Sequence, residues 1–307
     1  MFGMSEEPLV SIIITTYNRP ESLQKAIEKC INQSYQRKEI LVVDTSGEKY
    51  ARDIVDQYEE VSYFGTSKEL GQIAAWNRSV DKVSGDYIQL HDDDDWLKPS
   101  KIEQQVEYLK QKEDADVVYC GITSEMGEVL LPESSNRGDV TEQALKQNVE
   151  RCQTTTMLID SSKFEEVMPI HEFGCLGDLA LQIELCQITR FDFIEKPLVR
   201  RILYHDSIGD SLLNRRKRLE LIDHYTNLYD EHPEVKRQTL IKVNKMLAEK
   251  LLEEKFWSLD AIKAFHNVLK YEEELKIKDL TRLIFSLLGR PGLKFGEILY
   301  HKHLSKL

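Results

Sequence analysis

Between Leu9 and Cys120, short apolar runs alternate with helical patterns, and this alternation limits the fold more than any other feature. Leu9–Thr15 (LVSIIIT) reads as a buried strand. Pro20 then stands where a helix starts, with Leu23, Ile27, Cys30 and Ile31 at helical spacing. Ile40–Val43 is the next strand, residues 51–58 a helix, and Val61–Phe64 a short strand. Ile73, Trp76, Val80 and Val83 mark one helix face, Gly85 ends it, and Tyr87–Leu90 is again a strand. Pro99 opens a helix with Ile102, Val106 and Leu109 inward, and Val117–Cys120 follows as a strand. Such a succession implies an α/β fold with a mostly parallel sheet flanked by helices. Ligands of these sheets bind beyond the carboxyl ends of the strands. That rule selects residues 15–19, 44–46 and 92–95.

The remainder divides in two. Residues 121–210 are less regular, with strands expected at Thr154–Ile159 and Pro197–Tyr204 and a largely buried helix at Leu176–Ile188. Beyond residue 211 the pattern is wholly helical: Leu219, Ile222, Tyr225 and Tyr229 form one stripe, Leu240, Val243, Leu247 and Leu251 another. The expected division is a catalytic domain over 1–210 and a helical C-terminal region over 211–307. The tail is basic, with seven Lys/Arg from Lys276 to Leu307 against Asp279 and Glu297, in a chain whose net charge is -12. Leu280, Leu283, Ile284, Leu287 and Leu288 make an apolar face there, and Gly289-Arg-Pro-Gly292 is expected to break the helix. Terminal amphipathic helices commonly pack on their own protein. The alternative is peripheral contact at the inner face of an anionic membrane.

The overall acidity excludes a general nucleic-acid binder, because phosphate would be repelled. Five cysteines without a CxxC point to a reducing compartment. No basic-then-apolar leader opens the chain and no run approaches bilayer length, so a cytoplasmic location is expected.

Asp92, Asp93, Asp94 and Asp95 follow the strand Tyr87–Leu90 directly. Adjacent carboxylates repel one another unless a cation or solvent screens them. The apolar flanks YIQLH and WL bury the neighbourhood, and oxygen-only ligands at a sheet's carboxyl edge suit Mg²⁺ or Mn²⁺.

With these pieces together, the chain resembles the family 2 glycosyltransferases, whose fold is the Rossmann-like GT-A. PLVSIIITTYNRPESLQKAI, GQIAAWNRSVDKVSGDYIQLHDDDDWLKPSKIEQQVEYL and EKPLVRRILYHDSI carry the likeness, over residues 8–208. The resemblance implies a nucleoside-diphosphate sugar donor, with a uridine diphosphate sugar preferred. It also implies a glycan or lipid-linked glycan acceptor and a divalent metal, Mn²⁺ or Mg²⁺. Asp92 and Asp94 take the places of the family's DxD: Asp94 to bind the metal, Asp92 to contact the ribose and help place the metal, with Asp93 between them at the donor. Thr15, Tyr17 and Arg19 occupy the base-holding loop, Asp44 the position that accepts a hydrogen bond from the base, and Asn77 a donor-side helix position. Three departures stand out: Thr45 for a second Asp, Trp76 for an Arg, and Gly177 for the Glu of a Glu-Asp pair.

Single displacement needs a carboxylate to take the acceptor's proton. The resemblance places it at Asp178, so the reaction would invert the anomeric centre; a helix cap is the plainer reading of the same residue. His205 is expected near the metal or pyrophosphate, and one of Arg200 and Arg201 near phosphate. Two other classes stay open: a non-catalytic nucleotide-sugar or glycan-binding module, and a nucleotidyltransferase. The second is disfavoured because TTYNRPES has no glycine to cradle a triphosphate.

Overall fold

The computed structural model describes residues 7–112, 114–201 and 211–304. The described chain separates into two compact units, residues 7–144 with 148–201, and residues 145–147 with 211–304.

The first unit is built on nine strands: β1 (Val10–Thr16), β2 (Lys38–Asp44), β3 (Val61–Gly65), β4 (Tyr87–Asp92), β5 (Trp96–Leu97), β6 (Val117–Thr123), β7 (Val129–Leu130), β8 (Leu158–Asp160) and β9 (Phe191–Arg200). They form one sheet in the order β3-β2-β1-β4-β8-β6-β9-β5, with β7 on β6. Strands β1 to β4 pair in parallel, as do β6 and β9, while β8 runs antiparallel between β4 and β6. Helices α1 (Pro20–Ile31), α2 (Arg52–Val55), α3 (Gln72–Ser79), α4 (Lys101–Gln111), α5 (Thr141–Leu145), α6 (Ser161–Val167) and α7 (Gly177–Cys186) connect them.

β1 is buried almost throughout, as a central strand covered on both faces must be. Ile12 and Ile14 pack with Leu23 and Ile27 of α1 and Ile102 and Val106 of α4 in one apolar cluster. Register decides where the site lies: Thr16 stands opposite Asp44, and Thr15 opposite Asp92, so three strand ends meet at one carboxyl edge.

The second unit is helical: α8 (Leu212–His224), α9 (Thr226–Glu231), α10 (Pro233–Glu254), α11 (Leu259–Tyr271), α12 (Ile277–Ser286) and α13 (Gly289–Leu299). Leu247, Leu251, Phe265 and Leu293 belong to its core. Residues 145–147 join it because Tyr229 Oη (2.6 Å) and Thr239 Oγ1 (3.1 Å) both donate to the Leu145 carbonyl.

Three expectations need correction. Thr154–Thr156 is a 3-10 turn and only Leu158–Asp160 is strand, because Gln153 and the Thr156 hydroxyl cap each other's backbone N–H groups and wind the chain. The last strand begins at Phe191, and Pro197 falls inside it, where a register shift spares the missing donor. The expected helix break is present but lies at Leu287 and Leu288, between α12 and α13, and Gly289-Arg-Pro-Gly292 forms the first turn of α13: Gly289 has φ 72, and Pro291 sits where no partner for its nitrogen is needed.

Candidate active site

Beyond β4 the chain turns tightly, with the Asp95 N–H donating to the Asp92 carbonyl (3.2 Å). The turn splays the four carboxylates. Asp93 and Asp95 are buried, while Asp92 and Asp94 are half-buried and open to the strand edge.

Asp93 is held from β1. Thr16 Oγ1 donates to its Oδ2 (2.6 Å), and Arg19 Nη1 to its Oδ1 (2.9 Å). The same Arg19 nitrogen reaches Asp94 Oδ2 at 2.7 Å. Asn18, at φ 51, turns the chain between β1 and α1 and brings Arg19 back over the acids. Asparagine tolerates that left-handed conformation. Tyr50 adds its hydroxyl to Thr16, and the Arg19 N–H donates to the same hydroxyl (3.1 Å).

Asp92 is engaged from two sides. Gln72 Nε2, at the start of α3, donates to Oδ1 (2.5 Å), and Thr154 Oγ1 lies 3.4 Å from Oδ2. Thr154 Oγ1 is also 3.4 Å from Asp178 Oδ1. One hydroxyl thus stands between the strand-end carboxylate and the carboxylate of α7. The residue capping α7 is Leu176, which makes no side-chain hydrogen bond, so Asp178 does not serve as the cap.

Burial raises the pKa of Asp92 well above the usual carboxylate range, and repulsion from Asp178, Asp95, Asp94 and Asp93 adds to it. Burial pushes Asp93 to about 6, against the pull of Thr16 and Arg19. Asp95 goes to about 7 by burial, partly offset by Arg201. Asp178 is raised by burial and held back by Arg201 and the Thr154 hydroxyl. His91, directly before the run, brings no compensating charge: burial lowers it to about 3, leaving it neutral.

An acidic cluster short of cations fits a divalent ion. Among the described residues no group of three or more His, Cys, Asp or Glu side chains is arranged to enclose one. Asp92 and Asp94 would therefore supply a partial shell, the type that substrate phosphates and water complete around Mg²⁺ or Mn²⁺.

The other expected residues fall as follows. Thr15 is half-buried at the end of β1. Tyr17 is 44% exposed, its ring free at the edge and its hydroxyl near Glu69, not the buried tyrosine a strand end often carries. Asp44 is fully buried and its carboxylate is occupied inside the protein: Oδ1 accepts from Ser46 N–H (3.0 Å) and Oγ (2.7 Å), Oδ2 from Ala51 N–H (3.2 Å) and Tyr63 Oη (3.2 Å). These four donors tie Asp44 to the loop that follows β2 and to Tyr63 of β3. Asn77 pairs its amide with both backbone groups of Ile170 at 2.8 Å, which ties α3 to the segment before α7. Trp76 is buried. Arg200 lies over the Trp96 ring at 5.4 Å, while the charge of Arg201 bears on Asp95 and Asp178. His205 lies outside the described residues.

Sequence reasoning missed Thr154 and Gln72 as site residues, reached Thr16 only as part of the window 15–19, and named Arg201 only as an alternative to Arg200 beside phosphate. Only the run Thr154–Thr156 carried a signal, and it reads equally as a β-strand. A surface hollow of about 460 Å³ bordered by Asp116, Asp139 and Arg190 lies at the amino ends of β6 and β9, away from this chemistry.

The sequence pattern described as Glycosyl transferase family 2 matches residues 11–168, just over half of the 307 residues. The "Uncharacterized glycosyltransferase MJ1057" of Methanocaldococcus jannaschii is 26% identical over 238 residues, covering 74% of this chain and 80% of that protein. The "Putative teichuronic acid biosynthesis glycosyltransferase TuaG" of Bacillus subtilis is 28% identical over 110 residues, 34% of this chain and 44% of its own length. Among solved structures, S. aureus TarS 1-349 in complex with UDP-GlcNAc superposes with a TM-score of 0.60 at 13% identity, over 95% of this chain and 91% of that one. At that identity the likeness is one of fold.

Proposed function

The chain belongs to glycosyltransferase family 2, and on that premise we propose that it transfers a sugar from a nucleoside diphosphate to a hydroxyl acceptor with inversion at the anomeric carbon. A uridine diphosphate sugar is the preferred donor, since the TarS structure of the same fold holds UDP-GlcNAc. A glycan or lipid-linked glycan of the cell envelope is the acceptor class, in keeping with the name of TuaG.

The observation that carries this reading is the Thr154 hydroxyl set between Asp92 and Asp178. It brings Asp92 and Asp178 to one hydroxyl beside the end of β4, which supports a donor-side role for the first and a base role for the second. Asp178 accepts the proton of the acceptor hydroxyl as that oxygen attacks the anomeric carbon and the nucleoside diphosphate departs. Its raised pKa brings the carboxylate nearer to neutral pH, where a general base is most effective. Asp92 and Asp94 would hold Mn²⁺ or Mg²⁺, which would supply positive charge to stabilise the departing diphosphate. Arg19, paired with Asp93 and Asp94, is the cation beside these carboxylates and would contact the donor's diphosphate. Tyr17 stacks on the base, and Asp44 acts through the loop it organises.

The test is a pair of variants. Asp178→Asn keeps nucleotide affinity and lowers turnover roughly 10²–10⁴-fold, the usual worth of general-base help. Asp94→Asn loses Mn²⁺-dependent binding of uridine diphosphate, read by calorimetry with and without EDTA. Normal turnover in the first variant, or a product of retained configuration, removes the single-displacement mechanism. Metal-independent binding by the parent removes the metal.

A further inference from the structure

The second unit ends in a surface that its own core leaves uncovered. α12 and α13 approach through small residues. A Cβ on Gly292 would come within 2.2 Å of the Phe285 carbonyl oxygen, and one on Gly296 within 2.8 Å of its ring. With Gly292, Leu293 and Gly296 inward, the larger side chains turn out. Leu287 and Leu288, in the turn between the helices, are 56% and 65% exposed, and Phe295 and Ile298 are 58% and 54% exposed. The loop between α10 and α11 adds Phe256 and Trp257, 72% and 51% exposed.

Phe256 and Trp257 are fixed beside Leu287 and Leu288. Trp257 Nε1 donates to the Leu287 carbonyl (3.1 Å), the Arg290 N–H to the Phe256 carbonyl (2.8 Å), and Arg290 Nε to the Leu252 carbonyl (2.7 Å). The apolar side chains are thus presented by a hydrogen-bonded tip. A contiguous patch of this kind calls for a partner.

Charge identifies the partner. Between Lys276 and Lys302 six Lys/Arg stand against Asp279 and Glu297, in a chain of net charge -12. Both acids are already paired, Asp279 with Lys245 at 2.8 Å and Glu297 with Arg282 at 3.2 Å, and Lys276 is taken by Glu272 at 2.7 Å, so the excess charge rests on Lys278, Arg290, Lys294 and Lys302. Lys255 and Lys294 directly precede Phe256 and Phe295, and both are exposed. Glu253 and Glu254 close α10 just before Lys255, and Glu253 is 3.1 Å from Lys250. A symmetric second copy would set these lysines against one another. An anionic lipid surface instead accepts aromatic rings at headgroup level, aliphatic tips below them, and lysines beside phosphate. No described helix is long and apolar enough to cross a membrane, so the contact would lie in the interface plane. We infer that the tip formed by Phe256, Trp257, Leu287 and Leu288, with Lys255 and Lys294, docks the protein on an anionic membrane surface.

This inference does not depend on the transfer reaction. The test is co-sedimentation of the full chain with phosphatidylcholine vesicles, with and without about one third phosphatidylglycerol. The parent partitions to the anionic vesicles, and salt weakens it. Phe256→Ser with Leu288→Ser lowers the partition constant about 10-fold or more. Lys255→Glu with Lys294→Glu abolishes the preference for anionic lipid. All variants keep the parent's thermal melting curve and its binding of uridine diphosphate. Equal partition of the parent to neutral and anionic vesicles overturns the inference, as does binding unchanged by both double variants. So does a lipid-free dimer, seen by sedimentation equilibrium, that Phe256→Ser with Leu288→Ser disrupts.

Discussion

At the scale of single residues, Thr154 decides how two carboxylates share one hydroxyl. The hydroxyl can donate to Asp92 or to Asp178, each 3.4 Å away, but to only one at a time. Its bond to Asp178 favours the charged form and lowers that group's pKa against the rise from burial. Thr154→Val keeps the shape and removes the bond, so the pKa of Asp178 climbs further. A base that must be deprotonated then loses activity first at low pH, and the acid limb of the turnover profile moves upward. We expect roughly a 10-fold fall in turnover near neutral pH, with little change in donor affinity, and recovery in Thr154→Ser. A fall in affinity alone, with an unmoved profile, would make Thr154 a structural residue. The Asp run was legible because four like charges at a strand end need a reason. Thr154 was not, because its partners lie 62 and 24 residues away and nothing local in TTTMLID marks the contact. Asp44 shows the reverse: its position was legible, but not that four internal hydrogen bonds occupy its oxygens.

At the scale of elements, two departures noted in the sequence turn out to be one contact. A Cβ on Gly177 would stand 2.7 Å from the Trp76 ring and 3.1 Å from Gln72 Oε1. α7 can bring Asp178 to the strand edge beside α3 only because residue 177 has no side chain. Helix propensity favours alanine over glycine by up to about 1 kcal/mol, whereas overpacking a rigid contact costs about 1–3 kcal/mol. The contact wins, so Gly177→Ala destabilises the protein, as urea unfolding would measure. In a Trp76→Phe background, which shortens the ring, the same substitution turns neutral or favourable. Equal costs in both backgrounds would show that the indole is not what excludes the side chain. Trp76 and Gly177 are 101 positions apart, so sequence could present them only as separate anomalies. The alternation of strands and helices was readable because β1–β4 each carry a short β-branched, aliphatic or aromatic segment between helical patterns. The short antiparallel strands β5, β7 and β8 were not all recoverable, since pairing across the sheet defines them and two or three residues have no period.

At the scale of the whole molecule, each of the two units of the described chain holds an apolar cluster. One gathers residues from Val10 to Val199, the other from Leu247 to Leu293, and each belongs to a single unit. The residues to which we assign roles in transfer, within the described chain, all lie in the first unit. A ligand stabilises only the state that binds it, by about 2.7 kcal/mol at a hundred times its dissociation constant. For a unit of this size, each kcal/mol moves the melting temperature by about 2–4 °C. Scanning calorimetry of the full chain should therefore resolve two transitions, of which uridine diphosphate with Mn²⁺ moves one upward by roughly 5–10 °C and leaves the other in place. Asp92→Asn should abolish the shift, because the donor-side carboxylate is lost, while both transitions remain. A single transition that moves as a whole would mean that the units unfold together. A shift that survives Asp92→Asn would place the nucleotide away from the β4 edge. The outcome bears on mechanism as well as stability, since the membrane-facing tip and the carboxylate edge can act independently only if the cores that support them do.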